Sequence, residues 1–155
     1  NSMGAGVWGS VFFALFALMI IISRPLVGKV YARYGSRFVI YPGVGLFIVG
    51  LAILGVVSTP VGIICTAPLL GLGYGAAQPA FQALAVQSAP IERAGVSTAT
   101  YFLALDIAVG AGSVILALIA NALGYQSLYQ ITSLIMIIAL ALYHFVIRKH
   151  SYIAE

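Results

Sequence analysis

One carboxylate and a row of amides hold the chemistry open to this chain. Asp106 is the only acidic residue inside an apolar run. Counted from the start of its run at residue 96, it lies about 15 Å into a hydrocarbon layer roughly 30 Å thick. Desolvation disfavours a charged carboxylate there, so a side chain that takes up and releases a proton is the default functional expectation. The competing use is a protonated Asp106 hydrogen-bonded between helices. Tyr74, Gln78 and Gln82 recur at intervals of four and share one helical face with Gly71 and Gly75. Three hydrogen-bonding side chains on one stripe suit a cavity wall that holds a small molecule. Interhelical hydrogen bonds, worth ~1–2 kcal/mol each in membranes, are the alternative. Phe102, one turn before Asp106, offers an apolar surface to an amphipathic ligand.

The elements that must position these residues are membrane spans. Hydrophobic residues make up 63% of the chain and charged ones 6%, against roughly 45–50% and 25% in soluble domains. The fold class is therefore all-α, a polytopic helix bundle in a lipid bilayer. Five apolar runs are long enough to cross, at about residues 7–22, 39–57, 61–86, 96–123 and 128–147. Positive charges follow the first run instead of preceding it, so it is a span and not a signal peptide. Pro25 is expected to stop the first helix, with residues 23–38 as a basic connection to the second. Residues 58–60 and 124–126 read as short uncharged turns, and residues 87–95 as a polar loop. Pro68 and Pro79 fall inside the third run, where membrane helices tolerate them as kinks. Gly71, Gly73 and Gly75 lie mid-span, so they serve close helix approach and not dinucleotide binding.

With five crossings, all seven cations fall on one side: four between residues 24 and 37, Arg93, and Arg148 with Lys149. The positive-inside rule then puts the C-terminus in the cytoplasm and the N-terminus of the chain outside. No cation lies within a run, so a cationic partner for Asp106 would have to come from elsewhere. The net charge of +4 serves topology; there is no basic face or recognition module for nucleic acid. The single cysteine, Cys65, offers no disulfide, and no spacing suits a metal or cofactor. Ser113 and His144 might suggest an intramembrane hydrolase, but the serine is about 25 Å from the inner end of its helix and the histidine is close to that end. They are too far apart for the ~3 Å contact of a nucleophile with its base, so no enzyme is expected.

Gly28-Lys29-Val30-Tyr31-Ala32-Arg33-Tyr34-Gly35-Ser36-Arg37 resembles the G-x-x-x-D-R-x-G-R/K loop of the major facilitator superfamily. Gly28, Arg33, Gly35 and Arg37 match the motif, and Ala32 stands at its acidic position. Pro68, Gly71, Gly73, Gly75, Pro79, Pro90 and the residues from Arg93 to Asp106 resemble the tenth helix, the following loop and the eleventh helix of drug-efflux-type members. The resemblance implies that the runs are helices eight to twelve, most of the C-terminal half. The chain begins at Asn1 without an initiator, so residues are expected to be missing upstream, including the N-terminal half. It further implies secondary transport by alternating access, with proton-coupled export of a small organic molecule. Gly28, Arg33, Gly35 and Arg37 would support conformational states through contacts of cations with helix ends. Nutrient symport, or a non-transporting five-helix structural protein, are the alternatives. The tyrosine and glutamine stripe beside one acid suits a neutral or cationic amphipath, although a sugar or peptide would also find hydrogen bonds there.

Overall fold

A computed structural model describes the backbone of residues 2–151 and the side chains of residues 6–146. The cations expected in the tail, Arg148 and Lys149, lie outside the described side chains. Helices α1 (Ser2–Tyr34), α2 (Arg37–Leu54), α3 (Pro60–Gln87) and α4 (Ala94–Ser151) follow one another, with a 3-10 turn at Ile91–Arg93 before α4. Among the described residues, four helices are long and apolar enough to cross a membrane, in place of the five expected.

The first departure is at Pro25. It does not end α1, which runs on to Tyr34. A proline removes one N–H from the helical ladder, here the one that would reach the carbonyl of Ile21. Ending the helix would leave several carbonyls unbonded in an apolar medium, so continuing through the proline costs less. The connection of residues 23–38 therefore shrinks to Gly35 and Ser36. Gly35 takes φ +84°, where a Cβ would be strained, and its N–H donates to the Tyr31 carbonyl at 2.9 Å.

The turn before α3 follows the sequence closely. Thr59 is extended and its Oγ1 accepts from the Gly62 N–H at 3.3 Å, with Pro60 opening the helix. α3 continues through both Pro68 and Pro79.

The second departure is at Gly124. The expected turn of three residues is a single non-helical residue, with φ +83° and ψ +164°, inside one 58-residue helical stretch. Only glycine adopts that conformation readily, and one such residue suffices to redirect the chain. The first arm, residues 94–123, starts beside the end of α3: Ser97 Oγ donates to the Ala85 carbonyl at 2.6 Å and Tyr101 Oη to that of Gln78 at 3.2 Å. The second arm, residues 125–151, runs back along α2. Gln126 Nε2 donates to Ser58 Oγ at 3.0 Å, Ser133 Oγ to the Ile48 carbonyl at 3.3 Å, and Tyr41 Oη pairs with His144 Nδ1 at 2.7 Å. Falling partner numbers along both arms make each antiparallel to the helix it covers.

The core lies where α2 and α3 meet, around Val39, Ile40, Val44, Ala77 and Ala80. Glycines bring the backbones together there. A Cβ at Gly73 would stand 2.6 Å from Phe47 N and 2.7 Å from the Gly43 carbonyl, and one at Gly71 would stand 2.6 Å from the Phe16 carbonyl. A Cβ at Gly75 would meet the Ser23 hydroxyl of α1 and stand 3.0 Å from Ile20 Cα. The expected role of these glycines in close helix approach is what the packing shows.

Candidate functional site

Continuing α1 past Pro25 has a chemical result. It carries Arg24 and Gly28 alongside α3, so that Arg24, Gly28, Tyr31, Gln78, Gln82 and Phe102 line one cleft of about 620 Å³. That volume is in the range of small-molecule sites, roughly 300–1,000 Å³. The cleft lies between α1, α3 and the first arm of α4, toward the end of the bundle where Lys29, Arg33, Arg37 and Arg93 cluster. Tyr31 Oη closes its edge by donating to Gln87 Oε1 at 3.0 Å. Tyr101, bonded to the Gln78 carbonyl and edge-on to Phe102 with ring centroids 5.6 Å apart, fixes the arm against α3.

Three of the five residues expected along a substrate or proton pathway thus meet: Gln78, Gln82 and Phe102. Tyr74 does not join them. Its ring sits 6.2 Å from those of Phe16 and Phe47, and it lines a separate cleft of about 270 Å³ with Phe81, Tyr101, Leu105 and Met136. Gln78 borders both clefts. The stripe of Tyr74, Gln78 and Gln82 flanks the glycine stripe; Gly71 and Gly75 are buried against α1, whereas Tyr74 is 40% exposed. Asp106 lies one turn beyond Phe102 on the same side of the helix, exposed, and outside both cleft linings.

The four motif residues separate as well. Gly28 is a cleft residue inside α1 and not part of a loop. Gly35 forms the reversal. Arg33 lies in the last turn of α1, where the macrodipole favours a cation, and its Cζ is 5.4 Å from the centroid of the Tyr34 ring. Arg37 is the first residue of α2, the helix end that disfavours a cation. Of the two arginines, Arg33 thus sits at the helix end that favours a cation and Arg37 at the one that does not.

Arg24 is the residue that sequence reasoning missed. Treating Pro25 as a stop placed it in a loop, yet Ser23 beside it is buried and donates to the Ile20 carbonyl at 2.8 Å within an unbroken helix. The available signal was the spacing of Leu26, Val27, Val30 and Tyr31, which continues a helical face beyond Pro25.

Ser113 donates to the Gly110 carbonyl at 2.9 Å, and His144 pairs with Tyr41, so neither engages the other. Among the described residues no group of three or more His, Cys, Asp or Glu could hold a metal ion.

The family model described as Major Facilitator Superfamily matches residues 2–153. An uncharacterised MFS-type transporter of Methanocaldococcus jannaschii is 25% identical over 123 residues, covering 78% of this chain. The chain spans 31% of the length of that relative. No solved structure matches the chain.

Proposed function

The chain belongs to the major facilitator superfamily, and we propose that it is most of the C-terminal half, helices eight to twelve, of a proton-coupled secondary transporter. The observation that carries this reading is the cleft, whose lining brings together Gln78, Gln82, Phe102 and Arg24. Asp106 stands one turn away on an uncovered helix face. Such carriers bind substrate near the bilayer midplane between two pseudo-symmetric halves and alternate access by rocking one half against the other. In this account Gln78, Gln82 and Phe102 hold a small organic molecule, and Asp106 exchanges the coupling proton once the other half encloses it. Tyr74 packs beside the substrate wall and steadies it.

Five crossings complete the proposal. The break at Gly124 and the antiparallel course of the two arms support treating each arm as one crossing. The N-terminus of this chain is then outside and its C-terminus cytoplasmic, in the cell membrane, and the turn from Arg33 to Arg37 lies on the cytoplasmic face. Export is the direction implied by the similarity to drug-efflux-type members. The chain alone has half a cavity, so transport requires the N-terminal half.

The test is proton-driven flux in vesicles containing the full-length parent, with Asp106 and with Asp106→Asn, across a panel of small organic molecules. Loss of proton-driven flux with binding retained is the expected result. Full activity of the variant would remove Asp106 from the coupling path.

A further inference from the structure

Resting on the transporter reading of the cleft, we infer that its ligand is an organic anion: an amphipathic carboxylate whose charged end meets Arg24. The lining carries one cation, Arg24, and no acidic residue. Arg24 is exposed on α1, nine residues before Arg33 in its last turn, or about 14 Å along the helix, and a guanidinium at that depth of a bilayer is costly unless paired. The other polar side chains of the lining, Tyr31, Gln78 and Gln82, can hydrogen-bond an anion but cannot neutralise a cation. A carboxylate supplies what is missing, because the planar guanidinium accepts its two oxygens in a bidentate pair. The remainder of the wall is apolar, from Val27 on α1, Pro79 on α3 and Phe102 on α4. One end of the cleft thus suits a charged head, and the rest suits a hydrocarbon or aromatic body. Of the neutral or cationic amphipath expected from the sequence, the cationic form would meet repulsion from Arg24.

Asp106 does not take this role in the described structure, since it is absent from the lining. The cleft volume of about 620 Å³ leaves room for a body of several carbons beyond the carboxylate. A free carboxylate and an anionic lipid headgroup share the chemistry that Arg24 recognises. Half-buried Gln78 and Gln82 in the same lining favour a soluble ligand that can use their amides.

The experiment uses the full-length parent in phosphatidylcholine nanodiscs. Binding of octanoate, 3-phenylpropionate and 1-naphthylacetate is compared by calorimetry with that of their amides and of amines with the same body. At least one carboxylate is expected to bind at least tenfold more tightly than its amide and amine. Arg24→Gln should remove that preference, leaving amide affinity within twofold, and Arg24→Lys should restore part of it. Four results would overturn the inference. They are binding of no carboxylate, amines binding as well as acids, unchanged carboxylate affinity in Arg24→Gln, or displacement of the carboxylate when phosphatidylglycerol is added to the nanodisc, which would make the site a lipid site. Proton-driven flux of an amine or amide with carboxylates refused would refute the anion and leave the transporter standing. Carboxylate binding at Arg24 without flux of any compound would do the reverse.

Discussion

The two sides of α3 follow different rules. Toward α1 and α2 it presents Gly71, Gly73 and Gly75, and backbones meet with no room for a Cβ. Farther along α3, Gln78 and Gln82 face a cleft whose walls are α1 and α3 with Phe102 of the first arm of α4, and the Tyr101 hydroxyl ties that arm to the Gln78 carbonyl beside it. Gly110 and Gly112 on that arm have nothing within 4 Å of a built Cβ. In lipid there is little hydrophobic gain in pressing helices together, so close van der Waals contact between small residues holds the packed side. The open side carries the polar residues. On the proposed reading, the uncovered face of that arm is where the other half of the transporter would pack.

The contrast can be broken most forcefully at Gly73. Gly73→Val forces a side chain onto the Phe47 and Gly43 backbones, which cannot yield as a flexible side chain would. A loss of about 3 kcal/mol is expected in detergent-induced unfolding of the chain; a loss below ~1 kcal/mol would show the contact to be loose. Gly124→Ala should come next. Its φ of +83° with ψ +164° is strained for any other residue, at about 2 kcal/mol, and the same unfolding assay reads it. A wild-type midpoint would mean that the arms do not depend on this bend.

Smaller effects sharpen the comparison. Ser133→Ala removes a hydrogen bond from a buried serine to the Ile48 carbonyl, worth ~0.6 kcal/mol by the average for membrane helices. Gly110→Val on the open arm should change the unfolding midpoint of the chain least, by no more than ~0.5 kcal/mol. A larger cost in the full-length parent than in the chain would mark Gly110 as part of the surface that the other half covers.

Much of this division was visible in the sequence. The apolar runs gave the helices, Thr59-Pro60 marked the start of α3, and the alternate glycines announced close packing. Residues whose meaning depends on solvent were less legible. Pro25 stops a helix where water can take the freed carbonyls, but in an apolar bundle the helix continues. The difference moved Arg24 and Gly28 from a loop into the wall of the cleft. Tyr74 shares a four-residue spacing with Gln78 and Gln82, yet neighbouring Phe16 and Phe47 draw its ring into an aromatic group. Spacing along one helix cannot report what the next helix presents. The Gly124-Tyr125-Gln126 stretch was rightly taken as a break, but its form needed the backbone angles of one glycine.

On the proposed function, the cleft faces a pathway that opens and closes during transport while the glycine-packed contacts stay shut. The most direct measurement is the rate of labelling by a membrane-impermeant maleimide from the cytoplasmic face. It uses the full-length parent, with Cys65 and any other cysteine replaced by serine, carrying either Gln82→Cys in the cleft or Ile40→Cys at the α2–α3 contact. Ile40 is 0% exposed and borders no cleft. Gln82→Cys should react at least tenfold faster than Ile40→Cys, and its rate should change several-fold when a proton gradient is imposed. Equal rates at the two positions, or a Gln82→Cys rate indifferent to the gradient, would contradict this.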